Sequence, residues 1–244
     1  MYAVITAGGP IDGAYAALAG TTLKALAPVR GRTMLAQTVD ALRACGIERV
    51  AVVGNDVVRE SLEPLAPIRM VPDGGSGRAN ILGALDAWPD DAPLLYLTCD
   101  MPYLDASSLQ WFLDRIDPST LSMPLCEYHT FARRFPDAPP FGITLAGQRV
   151  VNAGVFHFPA GSRARVRTLA TTMFEARKAP WKMASVAGPL VLARFAIGRI
   201  SVSALEARAQ RVLGMPVAAL RDAPPELAFD ADTAAEYAYA VDRA

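Results

Sequence analysis

The sequence predicts an α/β protein in three layers, α/β/α, built on a mostly parallel sheet. Three observations carry that prediction. Short apolar runs that read as buried strands alternate with segments of helical periodicity across short turns, the pattern of parallel strands with helices on both faces. Glycine or aspartate turns come directly after three of those runs, at Gly8-Gly9, Gly74 to Arg78, and Asp100. Hydrophobic residues make up 52% and charged residues 20% of the 244 positions, enough apolar material for a large core and too much for a disordered chain.

Tyr2 to Thr6 is an apolar run stopped by Gly8-Gly9-Pro10, which reads as a buried strand ending in a turn. Glycines directly after a strand let backbone N–H groups approach an anion, and Lys24 beyond them supplies a point charge. The turn is therefore a candidate phosphate site, with a purely structural turn as the competing reading. After the excursion Pro10 to Leu23, the residues Met34, Leu35, Thr38, Val39, Leu42 and Cys45 recur at helical spacing, with Thr33 placed to cap the start and Gly46 just past the end. Arg49 to Val53 is the next strand, ending at Gly54-Asn55-Asp56. Next come a weak helix (Val57 to Leu62), a strand (Ile68 to Val71), the turn Asp73 to Gly77 and a helix (Ala79 to Trp88). Pro93 to Cys99 is the most strand-like run in the chain, and Asp105 caps a helix to about Ile116.

From Ser119 the pattern changes. Leu121 to Leu125, Phe141 to Leu145 and Val150 to Phe158 read as strands, then Arg163 to Arg177, Trp181 to Ile197 and Ser203 to Leu213 as helices. Strands at Val217 to Leu220 and Leu227 to Phe229 and a closing helix, Thr233 to Asp242, complete the chain. There is no repeat, low-complexity tract or linker, so a single domain over 1–244 is expected.

Lys plus Arg (24) equals Asp plus Glu (24), which gives no sign of a nucleic-acid or membrane-surface partner; any anion site must be built from a few placed groups. Cys45, Cys99 and Cys126 lie in or beside apolar runs and read as reduced core thiols. No leader precedes Tyr2 and no apolar run reaches the roughly 18 residues of a membrane span, so a cytoplasmic protein is expected.

Gly8-Gly9 with Gly13 is not G-x-G-x-x-G, and Gly54-Asn55 offers no acidic ribose binder, which argues against a nicotinamide site. Lys24 lacks the G-x-x-x-x-G lead of a phosphate loop. Asp100-Met101-Pro102 is sharper: a carboxylate at the end of a central strand is costly unless paired or bound to a cation, and Pro102 fixes the turn that holds it. Asp100 is either a turn former or a Mg²⁺ ligand, since Mg²⁺ takes one or two carboxylates plus substrate phosphates. Asp230 and Asp232 form a second acidic pair at another expected strand end, where residues two apart face the same way. Asp232 can also cap the last helix, with Glu236 one place beyond the capping-box position. The basic clusters Arg133-Arg134, Arg163/Arg165/Arg167 and Arg177-Lys178 with Lys182 read as solvated faces rather than phosphate clamps, and Trp88, Trp111 and Trp181 as core.

Taken together, these segments resemble the nucleotidyltransferases of the GT-A-type, Rossmann-like fold, in particular the molybdenum-cofactor guanylyltransferase group. Thr6-Ala7-Gly8-Gly9, Lys24-Ala25-Leu26 and Gly31-Arg32-Thr33-Met34-Leu35 are similar to that family's glycine signature, lysine and subsequent loop. Asp73 to Ile81 resembles the G-G-x-x-R segment of cytidylyltransferases, Thr98 to Pro102 the metal-binding aspartate turn, Val151 to Phe156 the acceptor-facing N-x-G strand, and Phe229 to Thr233 the late metal-ligand segment. One departure stands out. Fourteen residues, Pro10 to Leu23, separate Gly9 from Lys24, and none is the arginine the family's loop usually carries; the departure implies slower catalysis, another basic group such as Arg32 or Arg78 in its place, or no activity.

The resemblance implies transfer of an NMP group from a nucleoside triphosphate to a small phosphorylated acceptor, with pyrophosphate leaving. It implies Lys24 and Asp100 as the catalytic pair, and Ala7, Gly8, Gly9, Lys24, Gly74, Gly75, Arg78 and Asn80 around the nucleotide. Asn152 and Gly154 would face the acceptor, and Asp100, Asp230 and Asp232 would hold Mg²⁺. Residues 1–118 would form the nucleotide-binding half and 119–244 the acceptor side, with a helical insertion about 163–213 that shapes the acceptor pocket or a homodimer contact. A glycosyltransferase acting on a nucleotide-sugar and a nucleotide-binding protein without turnover are the alternatives.

Overall fold

The computed structural model describes residues 1–176 and 188–243. Arg177, Lys178, Trp181, Lys182 and the first part of the expected Trp181 to Ile197 helix lie outside the described residues. Among the described residues, nine strands form one mixed sheet. Its parallel part consists of β1 (Tyr2–Thr6), β4 (Val50–Gly54), β5 (Arg69–Pro72) and β6 (Leu94–Thr98), close to the spans expected from their apolar runs and arranged β5-β4-β1-β6. β2 (Pro28–Val29) and β3 (Arg32–Thr33) form a separate hairpin.

Strand alternation sorts the core onto two faces. Ala3 and Ile5 of β1, with Val50, Val52, Leu95 and Leu97, meet Leu35, Val39 and Leu42 of α2 (Met34–Ala44) and Leu109 and Phe112 of α5 (Ala106–Leu113). Tyr2 and Val4, with Ala51, Val53 and Tyr96, meet Ala84 and Leu85 of α4 (Gly77–Leu85), and Leu213 joins from the other end of the chain. Helices therefore cover both faces, as the sequence predicted. The caps are as expected for α2 and α5: the Thr33 hydroxyl accepts from the Ala36 amide, and Asp105 makes a capping box with Ser108.

Several expectations need correction. The excursion Pro10 to Leu23 contains α1 (Gly13–Ala19), hidden by its alanine-rich composition, which carries almost no polar-apolar contrast. A short helix, α6 (Tyr128–Arg134), occupies a stretch with no expected element; α3 (Asp56–Ser61) lies near its expected place. Val150 to Phe158 is not one strand. It is β9 (Gln148–Asn152) and β10 (Val155–Phe158), which pair antiparallel with β7 (Leu121–Glu127) and with β6. β8 (Ile143–Leu145) forms the far edge and β11 (Val217–Leu220) pairs parallel with β7, so the sheet continues from β6 as β10-β7-β9-β8. The break falls at Ala153-Gly154, where a side chain on Gly154 would place its Cβ 2.1 Å from Thr98 Oγ1. The backbone is pressed against the end of β6 there and cannot continue straight.

Leu227 to Phe229 is not a strand; Pro225–Leu227 is a single 3-10 turn, in keeping with the proline pair that opens it. Arg163 is neither a solvated face nor a phosphate clamp. It is 4% exposed, donates to Asp90 at 2.8 Å and to the Pro89 carbonyl, and pins the start of α7 (Arg163–Ala176) to the loop before β6. Helices α8 (Pro189–Ala196), α9 (Val202–Leu213) and α10 (Ala234–Asp242) complete the described helices. No described helix is long and apolar enough to cross a membrane, and the three cysteines are free thiols, with Cys99 and Cys126 buried.

Candidate active site

Because β1, β4 and β6 are parallel neighbours, the turns after them open at one edge of the sheet. A cleft of about 510 Å³ lies there, lined among others by Gly8, Gly9, Lys24, Asp73, Gly75, Asn80 and Asp100. The Gly8-Gly9 turn sits tightly beneath the β5–α4 turn: a Cβ on Gly8 would meet Asn80 Nδ2 at 2.7 Å and the Asp73 carboxyl at 3.0 Å. Asn80, 7% exposed, accepts from the Gly74 amide at 2.8 Å, and Asp73 accepts from the Gly75 amide at 2.9 Å. The latter turn has the left-handed backbone that glycine tolerates, with Gly75 at φ 72°.

Not every expected nucleotide residue reaches the cleft in the same way. Ala7 is fully buried and its amide is committed to the Val53 carbonyl at 2.8 Å. Arg78 is exposed on the first turn of α4, outside the cleft lining. Asn152 is exposed at the end of β9, and the carbonyl of buried Gly154 accepts from the Thr98 amide at 2.9 Å; neither residue lines the cleft. Arg32, the suggested substitute cation, is paired with Asp40 on the hairpin side. The cleft also takes Thr6, Asn55, Ile81, Tyr96 and Thr98, which sequence reasoning did not single out. Asn55 carried a signal, since it comes directly after a strand and caps α3.

Lys24 reaches the glycine turn although fourteen residues intervene, because the excursion closes on itself. Pro10 and Leu23 form a bridge, the Ile11 amide donates to the Thr22 carbonyl at 2.9 Å, and the Lys24 amide to the Gly9 carbonyl at 3.0 Å. The lysine then points into the carboxylates: Nζ donates to Asp100 Oδ2 at 3.0 Å and to Asp232 Oδ1. Burial alone lowers the ammonium's pKa, but the Asp100 charge and the Asp232 contact outweigh it and hold the pKa above the ordinary lysine value.

Asp230 behaves differently. Its Oδ1 is shut off from solvent without a hydrogen-bond partner among the described residues, as is Asp100 Oδ1. Burial, reinforced by the charges of Asp100 and Asp232, pushes the Asp230 carboxyl well above the usual range. The segment is held by tertiary contacts rather than by a strand: the Ala231 amide donates to the Asp100 carbonyl at 2.8 Å, and its carbonyl accepts from Tyr15 Oη of α1, also at 2.8 Å. Tyr15 stacks on Tyr237 of α10 with centroids 4.9 Å apart. The cap of α10 is Thr233, not Asp232, and Glu236 lies in the proper third position to complete its capping box. That leaves the Asp232 carboxylate free to meet Lys24.

Residues 3–214 match the model of the MobA-like NTP transferase domain. The fold is similar to a hypothetical transferase from Thermus thermophilus, at 28% identity and a TM-score of 0.82, over 97% of this chain and 98% of that one. It is also similar to a 4-diphosphocytidyl-2C-methyl-D-erythritol synthase from Anaerococcus prevotii, at 13% identity and a TM-score of 0.58, over 99% of this chain and 96% of that one. A stretch of 105 residues, 41% of the chain, is 34% identical to the bifunctional protein GlmU of Marinobacter nauticus and spans 23% of that relative's length.

Proposed function

Since the chain belongs to the MobA-like NTP transferase domain family, we propose that it moves an NMP group from a nucleoside triphosphate to a small phosphorylated acceptor. The observation that carries this reading is the meeting of Lys24, Asp100 and Asp232 beside the glycine-lined cleft at the carboxyl edge of the parallel strands. An oxygen of the acceptor's phosphate forms a bond to the α-phosphorus, the bond to the bridging oxygen breaks, and pyrophosphate leaves. Such chemistry requires positioned reactants and neutralised charge and no covalent nucleophile.

In this reading residues 1–244 act as one domain. The Gly8 and Gly9 amides and Lys24 bind and orient the phosphates, while Gly75, its amide held by Asp73, belongs to the turn that receives base or ribose. Gly74 and Asn80 set the turn that receives base or ribose, Arg78 stands at its rim, and Asn152 and Gly154 frame the acceptor side. Among the described residues no three His, Cys, Asp or Glu side chains form a complete cation cage. The donor set nevertheless suits Mg²⁺, which uses few carboxylates and completes its shell with phosphate oxygens and water. Asp100 Oδ1 and Asp230 Oδ1 are buried acceptors without partners among the described residues, and Asp232 lies beside them. Asp100, Asp230 and Asp232 would hold the ion, which when bound neutralises phosphate charge as it builds. Lys24 exchanges its carboxylate contacts for the triphosphate.

The test is pyrophosphate release from each common triphosphate with Mg²⁺ across a panel of phosphorylated acceptors. Release of a nucleoside diphosphate from a nucleotide-sugar instead would establish glycosyl transfer, and Mg²⁺-dependent nucleotide binding with no turnover would establish a binding protein.

A further inference from the structure

Next to the carboxylates, but outside the cleft, Tyr103 lies where two arginines from separate parts of the chain come together. The phenol lies three residues after Asp100 and packs edge-on against Phe229, the neighbour of Asp230, with ring centroids 5.0 Å apart. Arg30, at the tip of the β2–β3 hairpin, places its guanidinium 5.1 Å from the ring centroid, and Arg134, at the end of α6, places its own at 5.9 Å. Burial raises the pKa of the phenol, and the charges of Arg30, Arg134 and Arg243 pull it back. All three cations therefore bear on this side chain.

Two features separate this cluster from ordinary arginine–aromatic packing. The first is Tyr103 Oη, which is buried and has no hydrogen-bond partner among the described residues. The nearby tyrosines are satisfied: Tyr15 donates to the Ala231 carbonyl, Tyr237 to the Pro28 carbonyl and Tyr239 to the Pro136 carbonyl, each at 2.8 Å. A buried hydroxyl left unpaired forfeits its hydration without a compensating bond, so it is expected to find an acceptor when the protein works. The second is charge balance. Arg134 is matched by Glu226 at 2.7 Å and Arg243 by Asp137 at 3.6 Å, whereas Arg30 has no carboxylate partner among the described residues. Arg30 is exposed at the tip of the hairpin, where its guanidinium is open to a ligand from solvent. Among the described residues Lys24 alone pairs with the acidic cluster, so a dianion brought to this edge needs further cations.

We propose that Tyr103, Arg30 and Arg134 form a phosphate-monoester subsite that receives the phosphate of the acceptor and presents it to the nucleotide cleft. Tyr103 Oη donates to one phosphate oxygen, Arg30 leaves the ring to pair with the others, and Arg134 flanks them. The inference rests on the nucleotidyl-transfer reading.

Calorimetric titration with inorganic phosphate, and separately with Mg²⁺–pyrophosphate as a probe of the Lys24 edge, tests it in the wild type and in Arg30→Gln, Tyr103→Phe and Lys24→Ala. Arg30→Gln and Tyr103→Phe are each expected to weaken phosphate binding about tenfold or more, the loss of a hydrogen bond to a charged group. Both should leave Mg²⁺–pyrophosphate affinity unchanged. Tyr103→Phe keeps the ring and removes a hydroxyl without a partner, so its melting temperature should not fall and a binding loss cannot be ascribed to unfolding. Phosphate affinity equal to wild type in both variants overturns the subsite. Mg²⁺–pyrophosphate binding that survives Lys24→Ala counts instead against the nucleotidyl-transfer reading, whatever the phosphate result.

Discussion

The two halves of the sheet build the candidate site by different means. In the parallel half, β1, β4, β5 and β6 run side by side, and each functional turn is simply the chain leaving a strand end: Gly8-Gly9 after β1, Gly74-Gly75 after β5, Asp100 after β6. In the other half, β10, β7, β9 and β8 pair antiparallel. Its acidic contribution, Asp230 and Asp232, comes from an irregular segment held by the Asp100 carbonyl and by Tyr15. A parallel sheet delivers loops to one edge by topology alone, while the antiparallel part must be tied there by individual hydrogen bonds. The excursion Pro10 to Leu23 supplies one of those ties, through Tyr15 of α1, whose hydroxyl donates to the Ala231 carbonyl between the two carboxylates.

The sharpest way to test the contrast is at the turn the parallel half provides. Asp100→Asn should reduce Mg²⁺-dependent turnover by at least about a hundredfold, the scale of losing one preorganised electrostatic group, while the melting temperature stays close to wild type. Retained turnover would move the chemistry away from the strand ends. Gly154→Ala attacks the seam between the halves. Its Cβ would fall 2.1 Å from Thr98 Oγ1, and denaturant unfolding should show a loss of about 1–3 kcal/mol, the usual cost of overpacking. Wild-type stability would mean that β6 and β10 are less tightly joined than their register implies.

A smaller effect is expected from Tyr15→Phe, which removes only the bond to the Ala231 carbonyl. Stability should drop by about 0.5–1.5 kcal/mol, and triphosphate affinity should fall further than stability does if that bond positions Asp230 and Asp232. Loss of stability alone would reduce Tyr15 to packing. The least effect concerns His157 of β10, fully buried with Nδ1 2.9 Å from the Thr120 carbonyl. Burial lowers its pKa below the ordinary 6.5 despite that contact. The unfolded chain therefore takes up a proton that the folded protein refuses, and stability should decline as pH falls through 6.5 toward the lowered folded value. His157→Phe should flatten that decline in melting curves from about pH 7.5 to about pH 5; an unchanged slope would place the titration elsewhere.

How much of the fold could be read from the chain alone divides in the same way. β1, β4, β6 and β11 were legible as apolar runs, and α2 and α5 as periodic segments with Thr33 and Asp105 at their starts, because these patterns are local. β9 and β10 read as one strand because the sequence runs apolar through Ala153-Gly154; only the neighbouring Thr98 makes that point a break. Asp232 read as a cap of α10 or a ligand; the cap is Thr233, because Glu236, one place too far for Asp232, lies in register with Thr233. Arg163 looked like one charge among several until Asp90 and the loop before β6 enclosed it.

For the site itself, the sequence alone determined the residue types, and the place of the paired glycines and of the proline-fixed aspartate at strand ends; the lysine and the late acidic pair were legible as types, although no strand precedes the acidic pair. These depend on chain-local properties, the conformational range of glycine and the rigidity of proline. The tertiary structure decided which of them meet. It folded Pro10 to Leu23 back so that Lys24 reaches Asp100 and Asp232, left Asp230 Oδ1 without a partner among the described residues, and brought Arg30 and Arg134 over the ring of a phenol without a partner among those residues. The partners of Lys24 lie 76 and 208 residues away along the chain. Charge and burial at such separations are set by packing, and no window of sequence contains them.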